Sequence, residues 1–352
     1  MYKISPHWGK IHITVPISSE LLFPTPLSVR PMSGTQTKIE SFSNSDIDPA
    51  QSSFPKVESD SALLGSRYQV ISQLRQGGFG YTFLAEDTHR PGSPLCVVKR
   101  LARWFSIENA EQAHQLFAAE AQTLEKLGEH PQIPRLLAYF EQGGEFYLVQ
   151  ELINGQLLTE ELIECWPYWQ DEKIIEFLNE MLSLLGFVHQ HDVIHRDIKP
   201  DNLIRRQEDG KLVLIDFGVA KQGQLDNCVP GKSVNIVGTS GYAPPEQQQG
   251  CPRFNSDLYT LGMVAIEAAT GCHPDRLPRT SSGELKWRSF ATKLSPWLAD
   301  VLDGMIRQNA QNRYQRAQDI LQDILKNLNQ MPDRDQHLLL LECISKYDCL
   351  VM

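Results

Sequence analysis

The chain has few cysteines for its length, and their spacing excludes two classes of small scaffold. Seven cysteines occur among the 352 residues, no two of them form a C-x-x-C pair, and an odd number cannot be paired completely within one chain. Disulfide frameworks need paired cysteines, and structural zinc sites need closely spaced ones. The sequence therefore predicts a protein of a reducing compartment, and we expect it in the cytoplasm.

Long apolar runs and an excess of positive charge are also missing. No segment approaches the roughly 20 consecutive apolar residues of a membrane-spanning helix, so we expect no integral membrane span. The 33 Lys and Arg residues are outnumbered by 43 Asp and Glu residues, which gives a formal net charge of −10. Because binding to a phosphate backbone requires a basic face, we expect no nucleic-acid partner.

The first 66 residues differ in composition from the rest of the chain. They contain 13 Ser and 7 Pro, with neither a sustained helical pattern nor an alternating one. Such a segment cannot bury enough apolar surface to fold, so residues 1–66 are predicted to be disordered. Two alternatives stay open, namely a secretory leader interrupted by prolines and a translation start at Met32.

The next part of the chain reads as a small antiparallel sheet with one helix. Alternating apolar residues and turn signals predict strands, and apolar residues at helical spacing over 108–127 predict an amphipathic helix. The Gly143-Gly144 pair suits a tight hairpin turn between the last two strands. The five predicted strands are 68–74, 81–86, 95–99, 136–140 and 146–151.

Beyond Gly155 the pattern becomes mainly helical. Apolar stripes at helical spacing recur at 174–188, 257–269, 297–306 and 317–328. The predicted fold class is therefore α+β and bilobal, with an ordered domain over 67–329. Its N-lobe covers about residues 67–151 and its C-lobe about residues 155–329, and a short tail follows at 330–352.

Two short motifs lie between the predicted elements of the helical part. The first follows the long helical stripe and reads His195-Arg196-Asp197-Ile198-Lys199-Pro200-Asp201-Asn202. The second closes the apolar run 212–215 and reads Asp216-Phe217-Gly218.

Three further features keep a fixed order around these motifs. A turn, Gly77-Gly78-Phe79-Gly80, joins the first two strands, where backbone without side chains can approach phosphates. Lys99 ends the third strand, and Glu120 on the following helix is its natural ion partner. Past the second motif stands the run Gly238-Thr239-Ser240-Gly241-Tyr242-Ala243-Pro244-Pro245-Glu246.

Together these residues resemble a eukaryotic-type (Hanks-type) serine/threonine protein kinase over about residues 67–329. The first motif matches the catalytic loop H-R-D-x-K-x-x-N, the second matches D-F-G, and the last run stands where a kinase activation segment ends in A-P-E. The stretch 78–87 and the P-P-E-Q ending are similar to bacterial members of the family, especially cyanobacterial ones.

The resemblance implies that ATP is the phosphate donor and that Ser or Thr hydroxyls of proteins are the acceptors, with autophosphorylation among the activities. Asp197 would orient the acceptor hydroxyl and take its proton, and Lys199 would stabilise the γ-phosphate. Asn202 and Asp216 would hold Mg²⁺, with Mn²⁺ as an alternative metal. The residues implied in ATP binding are Leu74, Gly77, Gly78, Phe79, Gly80, Thr82, Lys99, Glu120, Glu151 and Ile153. Gln150 takes the position before the interlobe hinge.

The resemblance also implies regulatory and structural roles, in a signalling protein. Thr239 would face the substrate and Asp197, while Arg313 would pair with Glu246. Asp257 would cap the next helix and brace the catalytic loop. Because an arginine directly precedes the catalytic aspartate, regulation by phosphorylation follows as a hypothesis, with Ser233 as the candidate site.

Two departures from the family pattern keep other functions open. Arg75 stands at the first glycine position of the Gly-rich turn, and Thr82 replaces the valine that usually covers adenine. The main alternative is therefore a catalytically weak pseudokinase that acts as a nucleotide-binding scaffold. A small-molecule kinase of related fold, and a chain prenylated at a C-terminal Cys349-Leu350-Val351-Met352, are further alternatives. The sequence identifies neither the physiological substrate nor the oligomeric state.

Overall fold

A computed structural model describes residues 63–77, 80–101, 107–164, 168–218, 221–222 and 238–330. All the described residues belong to one compact unit. The predictions for residues 1–62 and 331–352 therefore lie outside the described residues.

The first half of the described chain forms a five-stranded antiparallel sheet. Its spatial order is β1-β2-β3-β5-β4, so β1 and β4 are the edge strands. The helix α1 lies in sequence between β3 and β4. The bounds are β1 Tyr68–Gly77, β2 Gly80–Asp87, β3 Leu95–Leu101, α1 Ile107–Leu127, β4 Leu136–Gln142 and β5 Glu145–Glu151.

Two cross-strand features explain the local geometry of this sheet. Gly143 and Gly144 join β4 to β5 at φ angles of 61° and 75°, a left-handed backbone that glycine adopts without strain. Directly opposed residues of antiparallel strands share a face of the sheet. Lys99 is paired with Leu148, and Leu148 packs in the same core as Phe117 and other apolar residues of α1. We call the side of the sheet that carries Lys99 and Leu148 its inner face.

The second half of the described chain is mainly helical. Its central helix, α5, buries 15 of its 17 residues, so it is enclosed by the rest of the lobe around its whole circumference. The short strands lie around the catalytic-loop motif. In chain order the elements are β6 Gly155–Leu157, α2 Leu158–Glu164, α3 Asp171–Gln190, β7 Val193–Ile194, β8 Leu203–Arg206, β9 Leu212–Leu214, β10 Lys221–Gln222, α4 Pro245–Gln248, α5 Phe254–Thr270, α6 Pro296–Met305 and α7 Ala317–Asn329.

The predicted α+β class and the division into a sheet-containing lobe and a helical lobe are confirmed. One local prediction is wrong. Asp257 does not cap α5, because this helix begins at Phe254 with Arg253 at the N-cap position. The backbone N–H of Arg253 donates to Ser256 Oγ instead, at 2.9 Å. Among the helices described, none is both long and apolar enough to cross a bilayer.

Candidate active site

The catalytic-loop motif is held in place through its backbone by α5. Asp257, which is fully buried, accepts hydrogen bonds from the backbone N–H groups of His195 and Arg196, each at 2.9 Å. It also pairs with His189 Nε2 at 3.0 Å. Arg196 has a φ angle of 70°, a left-handed conformation that is strained for a side chain of this size. The predicted brace by Asp257 is therefore present, although the residue lies inside the helix and not at its cap.

A hydrogen-bonded group surrounds the carboxylate of Asp197. Lys199 Nζ lies 2.8 Å from Asp197 Oδ2 and donates to Thr239 Oγ1 at 2.7 Å. Thr239 in turn donates its hydroxyl proton to Asp197 Oδ1 at 2.7 Å. Asn202 Nδ2 donates to the backbone carbonyl of Asp197 at 2.8 Å and to its carboxylate at 3.1 Å. These contacts fix the orientation of the Asp197 carboxylate.

A second charged group lies where the two lobes meet. Lys99 Nζ is 2.5 Å from Glu120 Oε1 and 3.0 Å from Asp216 Oδ1. Burial by itself lowers the pKa of Lys99, but the charges of Asp216 and Glu120 outweigh it and raise the pKa above the ordinary value. The charge of Lys99 holds the pKa of Asp216 at about 2. Lys99 and Asp216 are thus charged at neutral pH.

Burial of Phe217 sets the position of the Asp216 carboxylate. The Phe217 side chain is buried and packs edge-on against the ring of His195, with the centroids 4.7 Å apart. Asp216 itself adopts a φ of 69°. A Cβ on Gly218 would lie 2.9 Å from Glu120 Oε2, so a larger residue here would displace the Glu120 carboxylate.

Asn202 and Asp216 fit the divalent cation that the sequence predicts. Asn202 is fully buried, and its Oδ1 has no hydrogen-bond partner among the described residues. An unpaired buried acceptor is unfavourable unless a cation or a donor is bound there. The described chain contains no cluster of three or more His, Cys, Asp or Glu side chains suited to a metal. A cation held by Asn202 and Asp216 would therefore need water or phosphate oxygens to complete its ligands.

The residues expected to contact the base lie on the sheet and at its end. Leu74 on β1 is half-exposed, and Thr82 on β2 is paired with Lys99 on the inner face. Glu151 ends β5, and Ile153 follows outside any helix or strand. Gly77 and Gly80 close the β1–β2 hairpin as a facing pair. Gly78 and Phe79 lie outside the described residues.

The end of the activation segment is anchored by a buried ion pair. Arg313 Nη1 and Nη2 donate to the two carboxylate oxygens of Glu246 at 2.6 and 2.8 Å. The side chain of Arg313 has 0% exposure, and its guanidinium also lies 4.6 Å from the ring centroid of Tyr259. The predicted pairing is therefore present. Ser233 lies outside the described residues.

Sequence reasoning missed two contacts around the cleft. Arg75 Nη2 lies 3.6 Å from Asp201 Oδ1, which links β1 to the catalytic loop. Tyr242 donates its hydroxyl to the carboxylate of Glu267, and burial raises the pKa of both groups. Neither pair is among those that the family resemblance implies, so neither was expected. For the pair of Arg75 with Asp201, the one local signal was an arginine at a position where the family has glycine.

Comparison with known proteins agrees with this geometry. Residues 68–326 match the family described as protein kinase domain. Serine/threonine-protein kinase C of Synechocystis sp. is 46% identical over 279 residues, which cover 77% of this chain and 51% of the relative. Serine/threonine-protein kinase PknA of Nostoc sp. is 43% identical over 269 residues, covering 74% of this chain and 47% of the relative.

A third relative, serine/threonine-protein kinase B of Synechocystis sp., is 42% identical over 271 residues, covering 74% of this chain and 47% of the relative. The chain spans about half the length of the curated relatives it matches. The family match covers well over half of the chain. The chain therefore belongs to the protein kinase family, and its domain is of the eukaryotic-type serine/threonine class.

Proposed function

We propose that this chain is a serine/threonine protein kinase that transfers the γ-phosphate of ATP to Ser or Thr hydroxyls of proteins, itself included. One observation carries the proposal: two charged groups, one around Asp197 and one around Lys99 and Asp216, are complete and lie at the junction of the two lobes. Family membership supports it, because protein kinases generally use ATP and Mg²⁺.

Different residues of the cleft would bind different parts of the ATP molecule. Lys99, held by Glu120, would bind the α- and β-phosphates. The backbone of the Gly77–Gly80 turn would cover the phosphates, and the apolar side chain of Leu74 would lie over the base. The hinge from Glu151 to Ile153 would offer backbone groups to adenine. Thr82 and Lys99, which are directly opposed, lie together on the inner face.

The transfer step would use the group around Asp197. Its carboxylate would accept the proton of the Ser or Thr hydroxyl as the oxygen attacks phosphorus, and Lys199 would offset the negative charge on the transferred group. Thr239 would hold the side chains of Asp197 and Lys199 in position, because its hydroxyl forms a hydrogen bond with each of them. Asn202 and Asp216 would hold Mg²⁺, or Mn²⁺ as an alternative, which supplies charge neutralisation at the phosphates when bound.

The test is transfer of labelled phosphate from ATP with Mg²⁺ to the chain itself and to a generic protein substrate. Asp197→Asn keeps the shape of the side chain but removes the base, so we expect transfer to fall at least about 100-fold. Asp209→Asn is the matched control, because this aspartate pairs with Arg206 in the surface turn between β8 and β9. Nucleotide binding without transfer by the wild type would support the scaffold alternative instead.

Ser233 is proposed as a regulatory phosphorylation site. Arg196, next to the catalytic aspartate, is buried, and burial lowers its pKa to about 10, which leaves it charged at neutral pH. A phosphate on the activation segment would be attracted to this charge. We expect Ser233→Ala to reduce both autophosphorylation and transfer to other proteins, as measured by phosphopeptide mapping and initial rates. Unchanged values of both would refute the assignment.

A further inference from the structure

The free edge of β9 is bound by two residues from other elements. β9 is an edge strand of the three-stranded sheet β6-β8-β9, so the backbone groups on its outer side have no neighbouring strand. The backbone N–H of Leu212 donates to Glu180 Oε1 at 2.8 Å, and its carbonyl accepts from Gln132 Nε2 at 2.8 Å. The backbone N–H of Leu214 donates to the backbone carbonyl of Gln132 at 2.9 Å. Gln132 and Glu180 thus take the place of a further strand.

The side-chain amide of Gln132 is central to this contact. Gln132 is 8% exposed, and its Nε2 also donates to Glu180 Oε1 at 2.9 Å. Both hydrogens of the amide are therefore used, one by β9 and one by α3, which carries Glu180. Gln132 itself lies in the turn from α1 to β4. Replacing the amide would deprive the carbonyl of Leu212, a fully buried residue, of this donor, which is costly for a buried group.

The same strand leads directly to the residue expected to hold the cation. Asp216 follows Leu214 by two residues, and Ile215 between them donates its backbone N–H to the carbonyl of Asn202 at 2.9 Å. One edge of β9 pairs with β8, and the other is bound by Gln132 and Glu180. Contacts on both edges therefore fix the direction in which the chain enters Asp216.

We propose that Gln132 is a positioning residue for the metal-binding carboxylate of Asp216, and that it acts through the backbone of β9. This inference rests on the proposed function, which assigns Mg²⁺ to Asn202 and Asp216. Replacing a residue that orients a metal ligand from outside the ligand sphere commonly costs about 10- to 100-fold in metal affinity or activity. Gln132 orients the strand and not the carboxylate itself, so we expect a smaller effect.

The test measures how much Mg²⁺ strengthens the binding of ADP, which involves no transfer step. Calorimetric titration of the full chain gives the Kd of ADP in Mg²⁺ and in EDTA, and the ratio of the EDTA value to the Mg²⁺ value is the gain due to the metal. Gln132→Met keeps the length of the side chain without its donor, so we expect this ratio to fall at least about threefold. The Kd in EDTA should stay the same, because the groups that bind the nucleotide without metal are unchanged.

Glu180 supplies a second variant and a conservative one. Glu180→Met removes the acceptor of the Leu212 N–H and should lower the ratio by a similar factor. The double variant with Gln132→Met should lose little more, because both side chains act on the same strand. Glu180→Gln keeps an acceptor oxygen at the same place, so it should retain the wild-type ratio. If Gln132→Met does not fold, Glu180→Met carries the test.

Gln315→Met is the matched control. Gln315 Nε2 donates to the backbone carbonyls of Ala310 and Arg313, at 3.0 and 2.7 Å, in the turn before α7. The variant therefore removes an amide that binds backbone carbonyls away from β9, and it should leave the ratio unchanged. Thermal unfolding of each variant shows that it is folded.

The outcomes separate this inference from the proposed function. If folded Gln132→Met and Glu180→Met change both Kd values by the same factor, or change neither, the contact does not position the metal site, and the proposed function is untouched. An equal fall of the ratio in Gln315→Met would also refute the inference, because the effect would then be a general one. If the wild type binds no ADP, or binds it equally well in EDTA, the proposed metal site fails and the inference fails with it.

Discussion

The buried ion pair between Glu246 and Arg313 gives a sharp test of how the activation segment is held. In Arg313→Met, a side chain of similar length replaces a guanidinium that is 0% exposed. The change removes two short hydrogen bonds to Glu246 and leaves its carboxylate, 13% exposed, without its cation. It also removes donors to the backbone carbonyls of Arg307 and Gln308, at 2.5 and 3.1 Å.

Breaking one partner of a buried pair costs about 3–5 kcal/mol, because the remaining charge stays buried without compensation. For a domain of this size, each kcal/mol lowers the melting temperature by about 2–4 °C, so we expect a drop of roughly 6–20 °C. Equilibrium unfolding in urea, followed by circular dichroism and tryptophan fluorescence, measures the loss. Adding Glu246→Gln removes the stranded charge and should recover at least about 1 kcal/mol of it.

Arg316→Met supplies the matched control for this prediction. Arg316 pairs with Asp319 at 2.8 Å, but its side chain is 74% exposed, so water screens the interaction. We expect its unfolding midpoint to be indistinguishable from that of the wild type. If Arg313→Met is no more destabilising than Arg316→Met, the Glu246 pair does not anchor the segment and the reasoning is wrong.

Three further predictions concern the cleft. The charge of Lys99 holds the pKa of Asp216 at about 2, below its ordinary 3.8, so ionised Asp216 stabilises the fold above pH 4 and loses this effect as pH falls through about 2. The difference in unfolding free energy between wild type and Asp216→Asn should therefore shrink below pH 4, and a constant difference down to pH 2 would contradict the assignment. Arg75→Gly and Asp201→Asn should each speed ADP release at low salt by up to about fivefold, without further gain in the double variant, in stopped-flow traces. Additive effects, or effects that persist in high salt, would count against the ion pair. Thr239→Val removes the hydroxyl that joins the catalytic aspartate to its lysine, so kcat should fall about tenfold or more with an unchanged ATP Kd, and Thr239→Ser should restore it.

Much of the fold could be predicted, because the elements have strong local signals. The helix predicted over 108–127 is observed at Ile107–Leu127, and the glycine pair at 143–144 does form the predicted hairpin turn. Hydrophobic periodicity indicates which side of an element is apolar, and in the structure those sides pack into the hydrophobic core. The start of α5 was predicted incorrectly because Asp257 is a good capping residue by type. In the fold it instead satisfies backbone donors of a distant loop.

The candidate site was also largely predictable, because its residues occur in short motifs of fixed order. The resemblance to the kinase family predicted that Lys99 pairs with Glu120 and that Glu246 pairs with Arg313, and both pairs are present. The hydrogen bonds of Thr239 to the catalytic loop depend on the path of the chain, so the sequence indicated only that this residue faces Asp197.

By itself, the sequence determined the α+β class, the order of the two lobes and the identity of the residues that carry charge in the cleft. The fold class and the order of the lobes follow from composition and periodicity, and the cleft residues follow from short motifs that resemble the kinase family; all of these are local along the chain. Only the tertiary structure decided that Gln150 lies buried with an acceptor that has no hydrogen-bond partner among the described residues, and that Arg75 reaches Asp201. Burial and hydrogen-bond satisfaction depend on which distant segments pack together, so no single segment encodes them.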